Sequence, residues 1–348
     1  MPTNSAQREG GAFPMIVNRL AWITLVCLII LVIVGATVRV TGSGLGCPDW
    51  PTCWGCLIPP THVDQIDVDK LDIEKFKRHA VKKGIDPNTI TRETVLNSFD
   101  PVHTWIEFGN RLTSLPLGFA SLLLAIFSFT AKRHRGWIIL LSWLGLLDVI
   151  CNAIMGALVV KSGLQPGIIT LHMGLAFLLI CMMVSTVFLS RPNENVIRPL
   201  DPKLKKQLLI FSLLFFAFLF CEGLMGSQLR EQTDEFTKIA NGISRDQWAD
   251  KLGETWIYKV HRSFSWSLLI TASLIFYWVK RKTQLQLREP KLIVAMVVSM
   301  MLMGIILAHI SVFQVVQVLH VGMTAILLAV TWHWIMRLYS LPTDATEQ

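Results

Sequence analysis

The chain has 348 residues, 52% of them hydrophobic and only 16% charged, with a formal net charge of +8 and a mean hydropathy of +0.51. A soluble globule usually carries about 25% charged residues. This chain therefore lacks the polar surface that water demands, and a secreted or cytosolic enzyme, a disordered protein and a conventional nucleic-acid binder are excluded. Its seven cysteines are too few and too scattered for a disulfide scaffold, since Cys27, Cys151, Cys181 and Cys221 lie inside apolar runs.

A bilayer-spanning helix needs roughly 20 mostly apolar residues. Eight segments qualify: about 17–41, 104–131, 137–161, 166–190, 207–229, 256–279, 291–310 and 314–338. The first is too long for the apolar region of a signal peptide and lacks a small-residue cleavage site, so it is expected to be retained. Only a few residues around Ser311 separate the last two. Basic residues in short loops mark the cytoplasmic side. Lys132-Arg133-His134-Arg135, the stretch from Arg191 to Lys206, and Lys280-Arg281-Lys282 with Arg288 and Lys291 all fall on one side, together with both termini. The longer loops, 42–103 and 230–255, hold more Asp and Glu than Lys and Arg and belong outside. The expected architecture is an all-α, multi-pass protein of the cell membrane, with eight transmembrane helices in two pseudo-symmetric four-helix bundles. Segment 17–190 forms the first bundle and 207–338 the second. A cytoplasmic linker, 191–206, joins them, and cytoplasmic tails, 1–16 and 339–348, flank them. The net positive charge is mostly this inside bias. In the first external loop, the mixed run from Asp64 to Lys83 reads as a short solvated helical insertion before Asp86-Pro87-Asn88.

The two halves echo each other. Gly35-Ala36-Thr37-Val38-Arg39 matches Gly226-Ser227-Gln228-Leu229-Arg230, and Asn110-Arg111 matches His261-Arg262. Gly156-Ala157-Leu158-Val159-Val160 matches Gly304-Ile305-Ile306-Leu307-Ala308, and Leu171-His172-Met173-Gly174 matches Leu319-His320-Val321-Gly322. Four spans preserve orientation, so an axis along the membrane normal is expected to relate the halves.

Ionisable residues at membrane depth are costly and by default suggest function. Those on the spans are Arg39, Glu107, Arg111, Asp148, His172, Glu222, His261, Arg262, His309, His320 and His333. At 1.5 Å per residue, Glu107, Asn110, His172, His261 and His320 all fall within roughly 10 Å of the external boundary. Spans two, four, six and eight run outside to inside, so these groups can meet at one level. His261 and His320 then stand on facing helices, the usual axial pair for a low-spin haem. Arg262 beside them can pair a haem propionate. The plain alternative is two buried histidines bonded to other side chains. In the first half His172 faces Asn110, a poor iron ligand, which suits an exchangeable site. Glu107 and Arg111, four apart, share a face and form either part of that site or a structural ion pair. His103, one helical turn before Glu107, is a substitute ligand by type but is expected to sit too far out. His309 and His333 have no partner in the repeat; His333, between Trp332 and Trp334, reads as an interfacial belt residue. Asp148 and Glu222 receive no role.

Immediately outside the first span comes Gly42-Ser43-Gly44-Leu45-Gly46-Cys47-Pro48-Asp49-Trp50-Pro51-Thr52-Cys53-Trp54-Gly55-Cys56, whose Gly and Pro content dictates a tight loop. Three thiols on an oxidising side should not all stay free. A Cys47–Cys53 disulfide leaving Cys56 odd, a Cys53-Trp54-Gly55-Cys56 redox pair, and a zinc site completed by His62 all stay open.

The run from Gly35 to Arg39 through Gly42 to Cys53, the Glu107-x-x-Asn-Arg111 motif, Gly156 to Gly163, and the histidines at 172, 261 and 320 together resemble the haem A synthase family over nearly the whole chain. The family oxidises the pendant methyl of haem O to a formyl group, giving haem A for terminal oxidases. The resemblance implies haem b held by His261 and His320, with Arg262 and Arg39 at propionates. It also implies a substrate haem O ligated by His172, with Glu107, Arg111 and Asn110 catalytic, and a disulfide between Cys47 and Cys53. It further implies hand-over from haem O synthase, an electron acceptor, a lipid bilayer, no nucleic acid, and leaves homo-oligomers open. The family motif is usually Glu-x-x-His-Arg, so Asn110 is a departure, and Cys56 is extra to the pattern. Two rivals are a transmembrane electron-carrying cytochrome b and a haem transporter. The first wants haems near both faces, and the second favours midplane sites with broken helices; neither pattern is present.

Overall fold

The computed structural model describes residues 6–82, 86–165, 167–191, 199–238, 247–283 and 288–343. The expected start of the fourth span at Pro166, residues 192–198 of the linker and the ends of both tails lie outside the described residues. In chain order the α-helices are α1 (Ala6–Val40), α2 (Ile73–Lys82), α3 (Arg92–Asn97), α4 (Pro101–Phe127), α5 (Arg135–Ser162), α6 (Ile168–Leu189), α7 (Pro202–Lys238), α8 (Trp248–Gly253), α9 (Trp256–Lys282), α10 (Arg288–His309) and α11 (Gln314–Ser340). Among the described residues there is no β-strand, only isolated bridges.

The protein is an all-α integral membrane protein. Among the described residues, seven helices are long and apolar enough to cross a bilayer, one short of the expected eight. The exception is α9, which has 27 residues but is diluted by Lys259, Arg262, Ser263, Ser265 and Ser267. α9 nevertheless packs along α7 and α10 as part of the same array. The gap around Ser311 falls between His309 and Gln314, and α2 supplies the helical insertion in the first loop.

The long helices close into two rings. α1 packs on α4, α4 on α5, α5 on α6 and α6 back on α1; α7, α9, α10 and α11 repeat that circuit. Neither α4 with α6 nor α9 with α11 is among the substantial helix contacts, so each pair stands diagonally across its ring. The rings join through α6, α11 and α1, where Leu179, Ile180, Met183, Leu327 and Leu328 are fully enclosed. That seam needs small residues, as association in lipid rests on close packing. A Cβ on Gly322 would come within 2.8 Å of Ile33, and one on Gly223 within 2.5 Å of Phe177. Outward positions such as Leu115, Phe119, Trp266 and Ile270 are exposed, as suits helices facing acyl chains.

One boundary departs clearly from expectation. The fifth span was expected to end near 229, whereas α7 continues to Lys238. Tertiary contacts hold this polar extension. Glu231 accepts hydrogen bonds from Gly167 N, Thr170 N and Thr170 Oγ1, capping the start of α6. Asp234 pairs with Arg230 at 2.9 Å and with Arg39 at 2.5 Å. In the matching place Gln314, at the start of α11, donates to Val40 O at the end of α1. The ends of α1 and α7 thus meet the starts of α11 and α6 at one end of the molecule. At the opposite end Asn18 bonds Ser190 at 3.0 Å and Arg337 pairs with Glu289 at 2.6 Å.

Candidate functional site

In the second ring, α7 presents two residues to one imidazole. Glu222, 5% exposed, lays its Oε2 against His261 Nδ1. Gly226, one turn on, leaves open space in which a Cβ would sit 3.8 Å from His261 Cε1. Across the ring on α11, His320 has its Nδ1 buried with no hydrogen-bond partner. His261 is the sixth residue of α9 and His320 the seventh of α11, so both stand near the starts of diagonal helices. Arg262 projects to the exposed side, where its Nη2 lies 3.1 Å from His309 Nε2. His309, which has no counterpart in the repeat, therefore finds its partner here.

The first ring repeats the frame with different chemistry. A Cβ on Gly35 would lie 3.8 Å from Asn110 Oδ1, the same relation that Gly226 has to His261. Asn110 Oδ1 is buried and unpartnered, and so is His172 Nδ1. A Cβ on Gly156 would lie 3.9 Å from His172 Cε1. Where α7 has Glu222, the matching place on α1 is Leu31; where α4 has Glu107, the matching place on α9 is Tyr258. Arg39 does not stand free, because Asp234 takes its guanidinium and Arg230 donates to its carbonyl.

The external loop is seated on α4 by that helix's own polar residues. Glu107, 3% exposed, accepts from Cys47 N at 2.8 Å and from Arg111 Nη2 at 2.7 Å. Arg111 also donates to Asp49 O, Thr52 O and Cys47 O, at 2.8, 2.9 and 3.2 Å. One ion pair therefore bonds the loop at several points, so the structural-pair alternative describes a contact that is present. Cys47 and Cys53 are bonded to each other in the structure. Cys56, half-buried, is free, and its backbone exchanges two hydrogen bonds with Cys53. Trp54 anchors the loop by donating to Gly46 O at 2.7 Å and to Thr104 Oγ1 at 3.1 Å. The approach at Gly46 tolerates no side chain: a Cβ there would come within 2.4 Å of His103 O. His103 itself bonds Ser43 at 2.9 Å, outside the ring interior as expected.

The remaining ionisable residues sort plainly. Asp148 accepts from Asn152 one turn along α5, at 3.0 Å. His333 belongs to a cluster with Arg191 and Glu289 at the opposite end of the molecule. It is half-buried in this polar network, because helix packing brings Glu289 of α10 alongside. Glu222 had no role in the sequence. The signal available there was a carboxylate in the second half where the repeat has Leu31.

Two rings of antiparallel helices, each with buried polar groups on diagonal helices at one end, make up this multi-pass membrane protein. The buried Nδ1 atoms of His172, His261 and His320, unbonded apart from the Glu222 contact at His261, and the space beside Gly156 and Gly226 would suit a flat, imidazole-bound group. The model of the cytochrome oxidase assembly protein family COX15-CtaA matches residues 18–332, and the chain belongs to that family. A protein named heme A synthase from Nitrosomonas eutropha is 25% identical over 75% of this chain and 76% of its own length. One of the same name from Shouchella clausii is 24% identical over 75% of each. Another from Methylobacterium nodulans is 33% identical over 40% of this chain and 36% of its own.

Proposed function

We propose that this chain is a haem A synthase, a membrane oxidoreductase that converts the methyl group of haem O into the formyl group of haem A. The observation that carries it is the pairing of two unlike sites at one end of a family-typical scaffold. One has imidazoles on both diagonal helices, and the other has one imidazole across from Asn110, with the buried Glu107 one turn before Asn110 on the same helix. His261 and His320 would hold haem b, which supplies a one-electron relay for electrons leaving the substrate. Arg262, at the rim with His309, would pair a propionate. Arg39 could do so for the substrate only by sharing its guanidinium with Asp234.

In the first ring His172 would ligate the substrate haem iron. Asn110, a weak ligand, leaves the other face exchangeable. Two successive two-electron oxidations of the methyl, each taking its oxygen from water and releasing two protons, would give an alcohol and then a gem-diol, which loses water to leave the formyl group. Glu107 would take protons from the reacting carbon or its hydroxyl, and stabilise cationic character there. Each of its oxygens keeps a lone pair beyond the bond it already accepts. Arg111 and Cys47 N–H hold that carboxylate in one place, so the bonded loop acts as its mount. Supply of haem O by haem O synthase, an electron acceptor, and a cell-membrane setting with cytoplasmic termini complete the reading. The positive loops on the face opposite the sites support that orientation. An electron carrier spanning the bilayer would need haem sites at both ends. At the opposite end His333 is engaged with Glu289 and Arg191 instead.

Co-expression with haem O synthase followed by chromatography of extracted haems tests the assignment. Haem A is expected, and the absence of both haem A and the alcohol would remove it. Glu107→Ala should lower haem A formation by about 10²–10⁴-fold, the span of general acid–base catalysis, while the b-type spectrum persists.

A further inference from the structure

We propose that Glu222 is a positioning residue for His261: it accepts the imidazole Nδ1–H, fixes the ring so that Nε2 faces the ring interior, and biases the haem held there toward its oxidised form. This rests on the haem b reading above. The geometry comes from one turn of α7. Glu222 lies against His261 Nδ1, and Gly226, four residues on, leaves its gap at Cε1. In an imidazole Cε1 separates the two nitrogens, so α7 covers the Nδ1–Cε1 edge and leaves Nε2 as the free donor. Metal-bound histidines commonly give their other N–H to a carboxylate, which sets the tautomer and raises ligand basicity. A more basic ligand stabilises the ferric state.

Burial makes the contact consequential. Both Glu222 oxygens are buried without any other hydrogen-bond partner, and the one charged contact of this carboxylate among the described residues is with His261. Among the described residues, no carboxylate is paired with His320 or His172 as Glu222 is with His261. In the first ring Leu31 holds the place that corresponds to Glu222. The carboxylate therefore marks one ligand of one site. A relay that rests oxidised is the form able to accept the next electron from substrate, and an oxidised bias at the haem b site alone serves that task.

The test is a redox titration of the full-length, haem-loaded protein, followed at the reduced b-type absorbance, with low-temperature EPR of the ferric form. Glu222→Gln preserves shape and removes charge. It should favour reduction at least tenfold, about 59 mV for a one-electron couple, and shift the low-spin EPR signal. Glu222→Asp should restore most of the wild-type potential. An unchanged potential and EPR signal in Glu222→Gln would overturn the proposal, since a merely structural carboxylate moves neither. His261→Ala serves as the control. If the wild-type b-type signal survives it, the haem b reading fails at that step, and the role of Glu222 falls with it for a separately visible reason.

Discussion

The two rings share a circuit of helices, a glycine on the first helix of each facing the ligand position on the second, and a histidine near the start of the last. They differ in what surrounds those positions. The second ring offers His261, backed by Glu222, against His320. The first offers Asn110 against His172, has Leu31 in the place that corresponds to Glu222, and adds the Glu107–Arg111 pair with the bonded loop from Gly42 to Cys56. Duplication of one scaffold leaves backbone spacing alike, and a handful of side chains then separates a place to keep a group from a place to work on one. In the proposed reading, strong ligands on both faces would retain a group. A weak ligand opposite a strong one, with a carboxylate one turn away, would let it exchange and react.

That contrast can be broken from the loop first. Gly46→Ala forces a Cβ into the backbone of α4, 2.4 Å from His103 O, and overpacking of this kind costs about 1–3 kcal/mol. Haem A formation should fall steeply with Glu107 unmounted, while the b-type haem content of the second ring stays at wild type. Equal loss of both would mean that the rings are not separable. Asn110→His makes the first ring resemble the second, and the Gly35 gap should admit the imidazole as Gly226 admits that of His261. A second bis-imidazole low-spin signal is expected, with turnover lower by roughly tenfold, about 1.4 kcal/mol in barrier. If turnover instead rises, the weak ligand is not what makes that site exchangeable. The smallest effect belongs to Gly226→Ala. A helix-interior glycine gains about 0.5–1 kcal/mol of stability on becoming alanine, so the apoprotein should melt slightly higher. The new methyl group beside His261 should nonetheless weaken haem retention severalfold, measured by transfer to an acceptor protein. Tighter retention would argue against the gap as part of the cradle.

Apolar run length and basic-loop bias made the helices legible, and the repeat made their grouping legible, because bilayer thickness and the cost of unpaired backbone leave few choices. The end of α7 was not legible. Its last turns are polar, and they are helical because Glu231 caps α6 and Asp234 meets Arg39, contacts between halves that no local pattern encodes. The site was legible as far as the repeat carried it. His172, His261 and His320 stand out because each recurs or fills a matched position at one depth. Glu222 and His309 did not stand out, since their partners, His261 and Arg262, lie on other helices. The bond network of Arg111 into the loop was likewise hidden, because three of its acceptors are backbone carbonyls, which no side-chain pattern in the sequence displays.

The candidate ligand positions Asn110, His172, His261 and His320 stand near the starts of α4, α6, α9 and α11, all at one end of the molecule. Moving an elementary charge across a whole membrane against 100 mV takes about 2.3 kcal/mol. A transfer between two sites at equal depth crosses almost none of that field. In the proposed reading, electrons leaving the substrate travel sideways from one ring to the other. The reaction should therefore run at the same rate in energised and de-energised membranes, and it would neither consume nor build the potential that the oxidases it supplies help to maintain.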